Sequence, residues 1–425
     1  MKKIAVIGAG PAGCILAYAL IRNGFDVTLY SDRTPDQWLN HSKPTGSAYL
    51  YDEVIDIERL LGMDHWSHKA FCGQGFLLDA WDKVGGEQTV VAGRTEYGRR
   101  GAGIDQRMRV SRWLEDIESI GGRLVIESVT PERMDQIALH HDLTVLAAGK
   151  ADLSRAIPRH DARSVYTTPP RHLAMAIVRS KTGRHKEWFS DRVPYVPVKF
   201  NQYNDIGEYF WVPYEHKTAG AAFAILLEAR PGKMMDRFGD CKNGEDVVNA
   251  SCDIIRETSP HERHIADDME YIGDGDPHAW LTGRFSPIVR QAFGKMPSGG
   301  YVIPVGDTAI TFDPVCGQGG QFANRSAYYL AQVLAARGDQ AYTEAWLTQV
   351  NEDMWHNLGK AAYTFNHHFL EPFDEYGNGV IQTAARNPAA ADELFNGFTR
   401  PERMTNTMLT TAGAQAFMRR YSSEV

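Results

Sequence analysis

Residues 8–13 read Gly-Ala-Gly-Pro-Ala-Gly and stand between a short apolar run, Ile4-Ala5-Val6-Ile7, and a dense apolar segment from Cys14 to Ile21. A strand, a G-x-G-x-x-G turn and a buried helix in that order open a βαβ nucleotide-binding unit. The three glycines serve different ends. Gly8 permits the tight turn, Gly10 lets backbone approach a pyrophosphate, and Gly13 lets helix and strand pack closely. The helix start at Pro11 and Ala12 offers unbonded N–H groups and a partial positive charge to phosphate oxygens. Asn23-Gly24 stops the helix, and Val27-Thr28-Leu29-Tyr30 supplies the second strand within the roughly 30 residues such a unit needs. A glycine-rich packing turn without a ligand is the competing reading.

The kind of dinucleotide is set by the residues just after the second strand. The place where an acid commonly clasps a ribose holds Ser31, with Asp32 and Arg33 next in the chain. Ser31 can still hydrogen-bond a ribose, and Arg33 can pair with phosphate or stack on adenine. The missing acid speaks against a plain NAD site.

At 425 residues the chain exceeds what one hydrophobic core fills, so several units sharing a body are expected. Arg107 to Ile120 has helical periodicity, Arg123 to Val129 reads as a strand, and Leu143 to Gly149 is an apolar strand ending in small residues. Between about 165 and 285, aromatic and β-branched runs such as Tyr209-Phe210-Trp211-Val212 alternate with polar turns, the pattern of an inserted antiparallel sheet. A buried strand returns at 300–307, a helix comes next over 320–337, and the tail is mainly helical. The expected division is a discontinuous dinucleotide domain at 1–165 and 285–345, a substrate-binding domain at 166–284 and a helical region at 346–425.

Composition narrows the function classes. A formal charge of −8 opposes a general nucleic-acid binder, which needs a basic face. Glycines and Arg22 interrupt the first apolar run, so neither a secretory segment nor a membrane span is predicted. Five cysteines without CxxC pairing suit a reducing cytoplasm. His367-His368 with Glu371 invites a metal reading, but the flanking Phe365 and Phe369 indicate an ordinary helix, and no metal is expected.

A second constellation is more specific than the first. Gly306-Asp307 ends a strand, and Asp313-Pro314-Val315-Cys316-Gly317-Gln318-Gly319 opens a helix. An Asp at a strand end can accept hydrogen bonds from ribityl hydroxyls, and glycine backbone at a helix start can approach a flavin ring. With these motifs the chain resembles the epoxidase component of styrene monooxygenases and its indole monooxygenase relatives. Tyr30-Ser31-Asp32-Arg33, Ile104-Asp105-Gln106-Arg107, Asp313-Pro314-Val315 with Gly317-Gln318-Gly319, and Ala391 to Phe395 with Pro401-Glu402-Arg403 carry the resemblance. Ser286 to Arg290 and Met296 to Gly299 are similar to the indole-type branch, while about 166–280 is similar in texture only.

The resemblance implies an α/β fold like that of p-hydroxybenzoate hydroxylase: a Rossmann-like FAD-binding domain, an inserted antiparallel sheet for substrate and a helical C-terminal region. It implies non-covalent FAD used as FADH2, a separate NADH:FAD reductase, O2, a small apolar aromatic substrate and a homodimer. Gly8, Gly10, Pro11, Ala12, Gly13, Ser31, Arg33, Lys43, Arg107, Val129, Ala148, Gly149, Asp307, Pro314, Gly317, Gln318 and Gly319 are the implied cofactor contacts. Thr45, Ser47, Phe210, Pro314 and Val315 are the implied substrate-pocket residues, although Lys43 to Ser47 departs from the family pattern. No acid–base pair is implied, because the oxidant is a flavin C4a-(hydro)peroxide attacking a styrene- or indole-like double bond, a sulfide or an aromatic ring.

Three rival readings remain. A single-component hydroxylase that binds NAD(P)H would carry an acid at position 31 and an Asp-Gly pair near 148–152, where this chain has Ala148-Gly149-Lys150-Ala151-Asp152. A flavin-dependent halogenase would need Trp in place of Glu208 and Phe210. A non-catalytic dinucleotide-binding relative would keep the glycine motifs without turnover.

Overall fold

The apolar run at the N-terminus is buried on both faces, as a central parallel strand is: Lys3–Ile7 lies between Asp26–Ser31 and Leu143–Leu146, both parallel to it. The computed structural model describes residues 1–44, 46, 48–149 and 151–422. The six-stranded sheet runs in the order Gly294–Lys295, Tyr301–Pro304, Leu143–Leu146, Lys3–Ile7, Asp26–Ser31, Arg123–Ile126. Only its edge pair at 294–295 is antiparallel.

Helix Pro11–Arg22 buries every residue from Ala12 to Leu20, because the sheet and other helices enclose it, and its sequence is apolar nearly all round for that reason. Helices Gln106–Ser119 and Gln318–Arg337 contribute Trp113, Leu114, Ala327 and Leu330 to the same core. On the opposite face Met134 and Ile137 of helix Pro131–His140 pack on Ala5, Ile7 and Leu146. The result is a helix–sheet–helix sandwich.

A second sheet of eleven strands is mostly antiparallel, with its main ladder running Met269–Tyr271, His172–Ser180, Gly220–Ala229, Gly207–His216, Pro197–Tyr203, Gly75–Trp81, Gln88–Arg94. It departs from the expected insertion in one respect. Strands between 72 and 104 join it, although they stand within the stretch 1–165, and Gly75–Trp81 pairs in parallel with Pro197–Tyr203.

Strand alternation sorts the aromatic run at 209–214. Phe210, Val212 and Tyr214 face the C-terminal helices, while Tyr209 and Trp211 face helix Gly244–Thr258. Helix Pro388–Thr399 lies close on the sheet: a methyl at Gly93 would come within 2.6 Å of Phe395, whose ring stacks on Phe76 at 4.7 Å. Among the described residues no helix is long and apolar enough to cross a membrane.

Candidate functional site

Three parallel strands end at the same level. Ile7 is registered with Leu146, and Leu146 with Pro304, so the loops 8–10, 147–149 and 305–307 leave the sheet side by side. In open α/β sheets a ligand binds there, outside the carboxyl ends of the strands. The strands read as running to Val129 and Gly149 stop at Ile126 and Leu146, which frees the small residues Ala147-Ala148-Gly149 as loop.

The loops lock together through glycines. Gly8 has φ +110, and a Cβ there would lie 2.7 Å from the Ala147 carbonyl carbon. A methyl at Gly13 would collide with the Gly8 carbonyl oxygen and stand 3.3 Å from the Ala147 methyl. One at Gly306 would lie 2.7 Å from the Ala12 methyl, so the two motifs, some three hundred residues apart in sequence, touch. Thr308 Oγ1 donates to the Ala148 carbonyl at 3.1 Å.

Gly10 and Gly149, by contrast, face open space, with no atom within 4 Å of an added Cβ. Two helix starts border that space without a side-chain cap, at Gly10 for the 12-residue helix and at Gly317 for the 20-residue helix. Their unbonded N–H groups make both ends suited to anionic or carbonyl oxygens. Asp307 is exposed to the same space, with its Oδ1 3.8 Å from where a Gly319 Cβ would stand. Protein encloses it on its other sides, and that desolvation raises its carboxyl to about 6. Open glycine backbone, uncapped helix starts and an acceptor carboxylate fit a dinucleotide carrying a flavin.

Several of the residues read from the sequence as cofactor contacts have partners within the protein. Ser31 is fully buried, its hydroxyl donating to the Arg33 carbonyl at 2.6 Å and accepting from Trp38 Nε1 at 3.2 Å. Arg33 is half-exposed and lies over the Trp38 ring at 4.9 Å. Arg107 is engaged within the protein. Its guanidinium, fully buried, pairs with Asp105 at 2.6 Å and Asp276 at 2.5 Å, and His216 Nε2 stands 3.2 Å away. Asp105 also caps that helix by accepting from the Arg107 N–H, so the Asp-Gln-Arg pattern is a cap with a buried ion pair. Lys43 is exposed, its Nζ 4.1 Å from the Trp280 ring centre. Val129 is buried under the sheet. The Gln318 side chain donates to the Cys316 and Phe398 carbonyls at 2.9 and 3.0 Å, which leaves only its backbone for a ligand. Thr45 and Ser47 lie outside the described residues.

The wall residues form a second compartment. Val315 lines a small, mostly apolar cavity of about 10 Å³ with Leu78, Phe200, Phe369, Phe395 and Phe398, and with Glu208 and Gln202 as its polar members. That is space for about one water molecule. Phe210 lies one ring behind, 5.2 Å from Phe200, and Pro314 is partly exposed. Phe369, Phe395 and Phe398 were not read from the sequence as pocket residues; the helical spacing of Phe365/Phe369 and Phe395/Phe398 was the available signal. His367 Nδ1 is bonded to the Tyr166 hydroxyl at 2.5 Å. Asp79, His261 and Glu262 could converge on a metal ion, but Lys199 Nζ stands 3.0 Å from Asp79 and 3.1 Å from Glu262 as their counter-ion.

Residues 149–264 match the family model described as "Styrene monooxygenase A putative substrate binding domain". That match covers most of the stretch, about 166–280, whose sequence resembled the family only in texture. Styrene monooxygenase StyA of Pseudomonas fluorescens is 24% identical over 416 residues, 95% of this chain and 94% of the relative. Among solved structures, flavin-dependent brominase Bmp2 has a TM-score of 0.67 at 13% identity, covering 100% of both chains. A mutant of 2-methyl-3-hydroxypyridine-5-carboxylic acid oxygenase has a TM-score of 0.56 at 15% identity, covering 99% of this chain and 98% of its own. The solved structures establish a fold that halogenases and oxygenases share, and the whole-length relative narrows it: this chain is a styrene monooxygenase-like flavoprotein, an FAD-dependent monooxygenase.

Proposed function

We propose that the chain is the oxygenase component of a two-component system, taking FADH2 from a separate NADH:FAD reductase and placing one oxygen atom of O2 on an apolar aromatic substrate. The observation that carries this reading is the junction of two open, uncapped helix starts and Asp307 with the apolar wall at Val315. Reduced FAD, when bound, supplies the activated oxygen. The chain's own residues bind, orient and exclude water. Gly10 and the first turn of helix 11–22 would receive the pyrophosphate, Asp307 would accept from ribityl hydroxyls, and the N–H groups after Gly317 would meet the carbonyl edge of the ring.

Leu78, Val315 and the four phenylalanines lining the small cavity offer a dry surface to a flat apolar ring, with Glu208 and Gln202 as its polar lining, and among the described lining residues no basic group demands a charged substrate. Epoxidation of a styrene- or indole-like double bond suits that wall, and sulfoxidation or hydroxylation uses the same oxidant. Ser31 in place of a ribose-binding acid supports delegated reduction. The five cysteines are all free, in keeping with action in the cytoplasm beside the reductase, and the family resemblance supports a homodimer.

The test is to mix the purified chain with photoreduced FAD, admit isotope-labelled O2, and screen vinyl aromatics, indoles and sulfides. Labelled product without NADH consumption by the chain alone is expected. Direct NADH oxidation by the isolated chain would assign it to the single-component class, and absence of oxygenated product across the panel would overturn the reading.

A further inference from the structure

The turn that presents Pro314 and Val315 is backed by acids the proposed reaction does not use. Asp313 is 1% exposed, and its Oδ1 accepts from the Val315 N–H at 3.2 Å. Behind it lies Glu228, on strand Gly220–Ala229 and 0% exposed. Among the described residues no N–H or hydroxyl reaches either oxygen of Glu228, and its partner in hydrogen-bond range is the Asp313 carboxyl. Two carboxyl groups can bond only if one of them holds a proton.

The surroundings decide which. Glu208, on the neighbouring strand, is registered directly opposite Glu228, where like charges repel. Arg171, also buried, grips Glu208 with Nε at 2.7 Å and Nη2 at 3.3 Å, a forked pair that favours the Glu208 carboxylate against the burial that raises it. Arg230 is the second cation and gives an N–H to the Leu370 carbonyl at 3.2 Å. Cys316, Tyr166 and Glu371 are the remaining titratable groups around the cluster. Two arginines against three buried acids, Glu208, Glu228 and Asp313, balance when one proton is retained. Burial first, and the Asp313 carboxylate second, raise Glu228 well above the usual carboxylate range.

We propose that Glu228 is a positioning residue: as a neutral acid it donates to Asp313 and so fastens the pocket-wall turn 313–317 to the substrate sheet. The bond joins the strand bearing Glu228 to the one short turn that carries Pro314, Val315 and the start of the long helix. Its role toward substrate rests on the flavin-site reading above; the shared proton does not.

The first experiment is infrared spectroscopy of the unloaded protein at neutral pH. A carbonyl stretch of a protonated carboxylic acid, shifting in D2O and absent from Glu228→Gln, is expected. No such band in the wild type, or one unchanged in Glu228→Gln, would overturn the proposal whatever the fate of the flavin reading. The second is the pH profile of substrate KM with FADH2 supplied. The wild type is expected to lose affinity on its alkaline side as the proton leaves, and Glu228→Gln, which can still give an N–H to Asp313, to lack that limb. Glu228→Leu is expected to raise KM about tenfold at neutral pH, the effect of one buried hydrogen bond. Identical profiles for the Gln and Leu variants would overturn the positioning role.

Discussion

Two alanines in one glycine motif separate cofactor approach from packing. Gly10 has φ −71 and ψ 178, which any residue adopts, and nothing lies within 4 Å of an added Cβ. Gly10→Ala therefore costs the unloaded protein no contact and no strain, and its stability should stay within about 0.5 kcal/mol of wild type or rise slightly through loss of unfolded-state freedom. The methyl would stand where a pyrophosphate must approach the backbone. Losing one such charge-assisted hydrogen bond, about 1.5–3 kcal/mol, weakens FAD binding roughly 10- to 100-fold. At Gly13 the same methyl collides with the Gly8 carbonyl group, whose carbon lies 3.0 Å away, and crowds Ala147. The helix must shift, so Gly13→Ala should destabilise the unloaded protein by about 3 kcal/mol, at the upper end for overpacking. Thermal unfolding of both unloaded variants, with FAD titration monitored by flavin fluorescence, separates the two effects. Undiminished FAD affinity in Gly10→Ala, or early melting like that of Gly13→Ala, would refute the reasoning.

Other residues give sharper single readouts. The Asp307 carboxyl is raised to about 6, so FAD affinity should fall as pH drops through that value and the carboxylate acceptor is lost; Asp307→Asn should bind more weakly at neutral pH and show no such step. In the unloaded protein a raised acid favours folding most below the unfolded carboxylate range and loses that benefit as pH climbs toward about 6, a slope that pH-dependent melting should find missing from Asp307→Asn. Arg107→Ala strands Asp105 and Asp276 in the interior, and a loss of about 3–5 kcal/mol in stability is expected; a stably folded variant defective only in FAD binding would restore the contact that the family resemblance implies. Pro314→Ala should alter product distribution or stereochemistry more than FAD affinity, measured by chiral chromatography beside a flavin titration, and the reverse pattern would move Pro314 into the cofactor cradle.

The range of the interactions decides which features were legible in the sequence. The Gly8 to Gly13 turn and the Gly317 to Gly319 helix start are local devices, in which each residue's role is set by its neighbours in the chain, and both stand where the spacing put them. Ser31 and Arg107 were harder to read, because their side chains are taken up by partners far off in sequence or by a local turn. Ser31 closes a turn with Arg33 and meets Trp38, and Arg107 is held by Asp276 from the loop between strands Met269–Tyr271 and Trp280–Gly283. The tail's part in the pocket wall was illegible for the same reason. Nothing near Phe395 says that it will stack on Phe76, three hundred residues earlier.

The wall makes admission of substrate a matter of side-chain motion. With room for about one water between Val315, Phe200, Phe369, Phe395 and Phe398, an indole-sized ring can enter only if phenyl rings turn or a helix moves. The two sides of the cavity differ in their freedom to yield. Leu78 and Phe200 stand on strands paired on both sides, so their backbones are fixed. Phe369 is at the end of helix Lys360–Leu370, and Phe395 and Phe398 are on helix Pro388–Thr399; both helices are tied by hydrogen bonds, at the Leu370 and Phe398 carbonyls and between Asn396 and Arg94, but the rings themselves are held by packing on other rings. Truncating Phe398 should therefore widen the range of accepted substrates, while truncating Phe200 should mainly weaken the sheet. The phenyl rings of the C-terminal helices are then the adjustable part of the pocket, and the sheet backbone is the part that holds still.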